Sequence, residues 1–232
     1  MEMTGMRDGV VCIIPAFNEE STVASIARLA GEHAQVDRVI VVDDGSSDET
    51  SERAREVDGV EVIRIEPNRG KGAAMHAGMI ASTEPVLLFL DADLVGINPG
   101  HIDDLLAPVL KGEADMSVGE FRGGRLHTDL AHILTPSLSG QRAVRRSVLK
   151  SLDMDSVGFG IECALTELWE TEAIRVKTVI LRGVTHRTKE EKRGYWEGVR
   201  QRACMFADIL RYETGRFRRR LKGNHTSSNQ DR

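Results

Sequence analysis

The feature that most constrains this chain is a set of short, almost purely apolar runs that stop on a proline or an acid. Val10–Pro15 reads VVCIIP, Val39–Asp43 reads VIVVD, and Val86–Leu90 reads VLLFL with Asp91 directly after it. Runs of this length are strands, and runs with no polar alternation belong to strands covered on both faces. Val60–Ile65 alternates as a further strand. Helical stretches at Glu19–Ala30, Asp48–Glu56 and Gly70–Ala81 separate them, the last with small residues along one face. The order predicts an α/β fold, a mainly parallel sheet flanked by helices. Such a sheet holds its ligands beyond the carboxyl ends of its strands.

The second half is less regular. The pattern predicts a helix over Gly100–Leu110, a short strand at Met116–Val118, and a loop over 122–140 around Gly123, Gly124, Pro136 and Gly140. A helix at Gly160–Glu172, a strand at Arg175–Leu181 and a long helix at Glu190–Leu221 follow. The expected division is one α/β domain over 1–188, a C-terminal helical segment over 189–222, and a disordered tail over 223–232.

Composition removes whole classes. With 41% hydrophobic and 29% charged residues among 232, the chain is no disordered, collagen-like or coiled-coil sequence. Its longest uncharged apolar stretch, Val10–Phe17, is eight residues, against the roughly 20 that span a bilayer. No basic-then-apolar leader opens the sequence, so a cytoplasmic location is expected. Cys12, Cys163 and Cys204 stand far apart without ligand spacing and read as buried, reduced thiols. The net charge of −5 is uneven: residues 211–222 carry six basic residues and one acid. An acidic body with a basic terminal strip argues against a nucleic-acid partner. It leaves open peripheral contact with anionic lipid at the inner face of a membrane, or a homodimer.

Four segments end or follow the strands: PAFNEE (15–20), VDDGSSDET (42–50), NRGKGAA (68–74) and LDADL (90–94). Any one is weak, since Asp-Gly-Ser is an ordinary turn signal and Ser47 and Asp48 can cap a helix. Together they sit where a parallel sheet places its crevice. Asp91 and Asp93 end a very apolar strand, and residues two apart on a strand point the same way. Two converging carboxylates call for a divalent cation with oxygen ligands, Mg²⁺ or Mn²⁺, of the kind that bridges to a diphosphate. Lys71 lies between two glycines at a helix start, where backbone N–H groups also favour anions. Asp43 and Asp44 can accept hydrogen bonds from a base or ribose. Neither a GxxxxGK[ST] loop nor a GxGxxG turn after the first strand is present.

In this order and spacing, the four segments resemble the family 2 glycosyltransferases and their relatives with the GT-A fold. The resemblance implies a nucleotide-sugar donor, with Pro15, Ala16 and Glu19 lining the base and ribose pocket. It implies that Asp43 or Asp44 contacts the base, that Lys71 contacts the nucleotide, and that Asp91 and Asp93 are the DxD pair holding ribose and metal. GGRLHTDLA (123–131), SGQRAVRRSVL (139–149), GFGIECAL (158–165) and GVTHR (183–187) are similar to the glucosyl-3-phosphoglycerate synthases, which retain anomeric configuration. They are similar also to dolichyl- and polyprenyl-phosphate sugar transferases, which invert it. By the former likeness His186 completes the metal shell with Asp93, and Arg125 binds the acceptor. His127 stands where that group has threonine, and Thr188 where it has asparagine.

Glu162 at a helix start is a candidate general base for an inverting reaction, or an acceptor-positioning group for a retaining one. It reads equally as a carboxylate favoured by the helix dipole. Arg142, Arg145 and Arg146 can bind an acceptor phosphate; strand alternation would put Arg142 and Arg146 on one face, and Arg142 is the preferred candidate. His33, His76, His101, His132 and His225 form no ligand spacing and are read as structural or exposed. The expected activity is metal-dependent transfer of a hexose, with UDP-glucose favoured by the resemblance, to a small phosphorylated acid or a lipid phosphate. A nucleotide-sugar-binding protein without transfer and a nucleotidyltransferase are the competing readings.

Overall fold

The computed structural model describes residues 8–122, 140–149 and 174–187. The first part alternates as expected: β1 (Val10–Ala16), α1 (Val23–Gly31), β2 (Arg38–Asp43), α2 (Thr50–Arg55), β3 (Val60–Arg64), α3 (Lys71–Ile80) and β4 (Val86–Phe89). Then come β5 (Leu94–Val95), α4 (Pro99–Leu110), β6 (Met116–Arg122), β7 (Arg142–Arg145), a helical turn at Arg146–Leu149, β8 (Val176–Arg182) and β9 (Thr185–His186). The main sheet has the order β3-β2-β1-β4-β7-β6-β8. Within this sheet, among the described strands, only β7 runs against its neighbours; it is antiparallel to both β4 and β6.

Alternate residues of β1 feed two separate cores. Val10, Cys12 and Ile14 pack with Val23, Ile26 and Ala27 of α1 and with Ile102, Leu105 and Leu106 of α4. Val11 and Ile13 pack on the other side with Ala74, Met75 and Met79 of α3. Burying each such side chain stabilises the fold by roughly 1.5–3 kcal/mol, so a strand without polar alternation is what this position requires. Gly78 lets α3 approach closely: a Cβ there would lie 2.5 Å from Ile13 Cγ2. Cys12 is buried as expected, and burial pushes its thiol pKa well up.

Several boundaries differ from expectation for local reasons. α1 starts at Val23 and not near Glu19, because residues 17–22 form a loop tied to the one after β2. There Asn18 N–H donates to Ser46 Oγ, and Glu19 N–H to Thr50 Oγ1. α4 begins at Pro99 behind a reciprocal cap between Asn98 and His101, a structural use of that histidine. His33 Nε2 lies 3.3 Å from Asp103 Oδ1.

The arginine alternation is corrected. β7 ends at Arg145, and Arg146 opens the helical turn, so Arg142 and Arg146 do not share a strand face. Arg146 donates to Glu84 O, Met79 O and Ser82 Oγ, closing the C-terminal end of α3. Arg145 donates to Val109 O near the end of α4 and to Asp8. Both are structural clamps. Residues 123–139 of the expected 122–140 loop, the 160–172 helix, the 189–222 helical segment, the 223–232 tail, Cys163 and Cys204 lie outside the described residues. No helix among the described residues is long and apolar enough to cross a membrane.

Candidate metal and diphosphate site

The ends of β1, β2 and β4 and the start of α3 meet at the carboxyl edge of the sheet. Asp91 and Asp93 converge, but not by strand alternation. β4 stops at Phe89, and both acids lie in the turn that follows it. The turn leads into β5, which pairs with β9 so that Leu94 faces His186 and Val95 faces Thr185. Arg187 N–H donates to Asp93 O at 2.9 Å and extends the contact. The two chain segments cross closely at Gly96, where φ is +82° and a Cβ would collide with Gly183 O. Only glycine fits both demands.

This two-stranded pairing brings His186 to the acids. Its Nδ1 lies 3.0 Å from Asp93 Oδ1, and its ring meets Phe121 edge-on at 5.0 Å. Ligand atoms of Asp91, Asp93 and His186 all lie within 4.8 Å of one another. Two carboxylates and one imidazole form a donor set that Mn²⁺ or Mg²⁺ accepts, and the cluster is spaced for one ion. Burial lowers the His186 pKa, but hydrogen bonding to Asp93 and the charges of Asp93 and Asp91 outweigh it, so the value is raised. Lys71, the first residue of α3, pairs with Asp91 Oδ1 at 2.7 Å. The other oxygen, Oδ2, accepts from Gln141 Nε2 at 2.8 Å.

Gly140 and Gln141 are site residues that the sequence reading passed over in favour of the arginines beside them. A Cβ at Gly140 would collide with Asp91 Oδ2 and lie 2.5 Å from Oδ1 and 2.6 Å from Lys71 Nζ. The signal was the Gly-Gln pair just before a strand that starts at the crevice. Arg142 is buried on β7 opposite Phe89. Paired residues point to one face of a sheet, so it lies on the α3 side.

The nucleotide-pocket candidates have defined settings. Pro15 and Ala16 close β1 beside Val42 and Asp43. Glu19 is buried in the loop after them. Asp43 is fully buried and accepts from Ser46 N–H at 2.9 Å, from Arg64 Nη1 at 2.7 Å and from Ser51 Oγ. Burial raises its pKa, but these hydrogen bonds and the Arg64 charge hold it below the ordinary value. Asp44 accepts from Arg69 N–H at 2.8 Å and Gly70 N–H at 2.7 Å. Burial dominates there and raises its pKa. Both carboxylates therefore brace loops, Asp44 the very loop that presents Lys71. Arg187 also reaches Ser21 Oγ, tying the segment after His186 to the loop after β1. Arg125, His127 and Glu162 lie outside the described residues.

Comparison with known proteins agrees with this geometry. The profile of Glycosyl transferase family 2 matches residues 11–163. Glucosyl-3-phosphoglycerate synthase of Mycobacterium tuberculosis is 30% identical over 190 residues, covering 66% of this chain and 58% of that protein. The synthase of Mycolicibacterium smegmatis is 31% identical over 192 residues, covering 67% of this chain and 62% of its own. This chain thus spans about three fifths of the length of these relatives. The crystal structure of the M. tuberculosis synthase with Mn²⁺ and uridine-diphosphate-glucose aligns with a TM-score of 0.71 at 27% identity, over 88% of this chain and 78% of that one. Its complex with Mg²⁺ and uridine-diphosphate aligns at 0.67 and 26%, over the same shares. The sheet expected of a GT-A fold is the sheet observed, and by the profile that spans most of its length the chain belongs to glycosyl transferase family 2.

Proposed function

We propose that the chain is a metal-dependent glycosyltransferase that moves glucose from UDP-glucose to a small phosphorylated acid of the 3-phosphoglycerate kind. The observation that carries the reading is the Asp91–Asp93–His186 cluster with Lys71 against it, at the carboxyl edge of the sheet. The complexes of the M. tuberculosis synthase with uridine-diphosphate-glucose, and with uridine-diphosphate and glucosyl-3-phosphoglycerate, support the donor and the acceptor.

In this reading Pro15, Ala16 and Glu19 wall the base and ribose, and Asp43 and Asp44 hold the loops of that wall. Asp93 and His186 are the ligands that would hold the cation, with Asp91 beside them. An ion held there would supply Lewis acidity and would offset charge growing on a departing diphosphate. Lys71 is a fixed cation on the same side, at a helix start whose N–H groups also favour an anion. Such preorganised charge costs no reorganisation as the bond breaks. Arg142 is assigned a supporting role, because its guanidinium is buried in the sheet. Arg125, His127 and Glu162 remain the candidates for the acceptor side.

The basic strip at 211–222 favours a second acceptor class, a polyprenyl phosphate. The test is incubation with UDP-glucose and Mn²⁺, with 3-phosphoglycerate in one arm and polyprenyl phosphate in vesicles in the other. NMR of the anomeric proton follows the product. Transfer to the small acid, lost in Asp93→Ala and in EDTA, is the expected result. Transfer only to the lipid selects the second class, and UDP binding without any transfer leaves a nucleotide-sugar-binding protein. Equal turnover in wild type, Asp91→Ala and Asp93→Ala overturns the site.

A further inference from the structure

We propose that Gln141 is a positioning residue, whose side-chain amide fixes the Asp91 carboxylate in register with Lys71 and with the Asp93–His186 pair. The proposal rests on the reading of this cluster as a cation and diphosphate site. Asp91 has a donor on each oxygen: Lys71 on Oδ1 at 2.7 Å and Gln141 on Oδ2 at 2.8 Å. A carboxylate held at both oxygens cannot rotate about its last torsion without losing one bond. The group facing Oδ2 must be the amide NH₂, since an ionised carboxylate only accepts. Gln141 is itself fully buried, and its backbone carbonyl accepts from Gly119 N–H at 2.9 Å. The holder is thus fixed by the sheet and does not wander with solvent.

The choice of a neutral donor has a charge consequence. Asp91, Asp93 and Lys71 together carry one net negative charge, which suits a divalent ion that must also meet a diphosphate. A second lysine or an arginine in place of Gln141 would cancel that charge. A carboxylate there would repel Asp91 across a hydrogen-bond distance. An amide holds without either effect, and Gly140 beside it removes the side chain that would push Asp91 away.

The test uses the full chain and UDP as probe, titrated by calorimetry with Mn²⁺ and with EDTA. Gln141→Met keeps length and apolar volume but removes the donor. It is expected to bind UDP in EDTA within twofold of wild type and to lose about tenfold in Mn²⁺. In an Asp91→Asn background, Gln141→Met is expected to change the Mn²⁺-dependent affinity by less than twofold, because the residue acts through Asp91. Should Gln141→Met fail to fold by circular dichroism, Gln141→Glu has the same shape, and the same loss in Mn²⁺ is expected. A Mn²⁺-dependent gain equal to wild type, or additive losses in the double variant, overturns the positioning role alone. No Mn²⁺-dependent gain in the wild type overturns the site reading with it.

Discussion

Replacing Gly140 by alanine adds one methyl group at the most crowded point of the site. The added Cβ would stand 2.5 Å from Asp91 Oδ1 and 2.6 Å from Lys71 Nζ, and would collide with Asp91 Oδ2. Unstrained contacts of carbon lie at about 3.5 Å or more, so the carboxylate must withdraw by roughly 1 Å. The backbone at Gly140 is not left-handed, so the effect is steric and not conformational. A withdrawal of that size takes the Lys71 contact of 2.7 Å and the Gln141 contact of 2.8 Å out of hydrogen-bonding range. Hydrogen bonds to charged groups contribute about 1.5–3 kcal/mol each, and partial relaxation recovers some of that. A loss of about 1.4–2.8 kcal/mol in UDP binding with Mn²⁺ follows, a ten- to hundredfold weaker Kd. Calorimetric titration of UDP measures it, beside thermal unfolding of the same sample to establish that the variant is folded. A folded Gly140→Ala protein that binds UDP within twofold of wild type would refute the steric argument and the orientation of Asp91 on which it rests.

Other outcomes follow from the same contacts. Because the His186 pKa is raised, the stability it adds to the metal-free protein is full below the unfolded value of about 6.5 and lost as pH rises through the folded value. A cation needs the neutral ring, so the thermal shift given by Mn²⁺ with UDP should grow from pH 6 to pH 8; a flat or falling shift contradicts this. Asp43 is the opposite case: its pKa is lowered, so its contribution is present above the ordinary carboxylate value and lost as pH falls through the folded one. Arg64→Leu should remove part of that acid sensitivity in urea unfolding below pH 4, and an unchanged acid limb would count against the pair. Gly78→Ala, with its Cβ 2.5 Å from Ile13 Cγ2, should destabilise the fold by about 1–3 kcal/mol; an unmoved urea midpoint would show that α3 can retreat freely. Arg146→Ala should cost a similar amount by stripping Met79 O, Glu84 O and Ser82 Oγ of their donor, while leaving UDP affinity alone; loss of affinity with unchanged stability would restore a ligand role for this arginine.

The parts of this fold written in the sequence are those with a strong local period. Val10–Pro15, Val39–Val42 and Val86–Leu90 are apolar throughout because helices cover both faces of the sheet, α3 on one side of β1 and α1 with α4 on the other. The site was legible where chemistry is concentrated in short motifs: Asp91, Asp93 and Lys71 come from two of them, and His186 from a third. What stayed hidden depends on tertiary pairing. β5 and β9 have two residues each, too short to carry any period, and they are what delivers His186 to Asp93. The convergence of the two aspartates was expected from a strand and is made by a turn. Three arginines within five residues look alike in sequence, yet Arg145 and Arg146 close helix ends while Arg142 is buried on the strand. Gln141, a neutral residue among cations, gave no charge signal although it is the one that touches the site.

Anomalous scattering from Mn²⁺ in crystals grown with UDP tests the central claim most directly. The account predicts a single strong peak at roughly 2.1 Å from ligand atoms of Asp93 and His186, with the diphosphate between that peak and Lys71. A diphosphate bound elsewhere, or manganese seated away from Asp93 and His186, would contradict it.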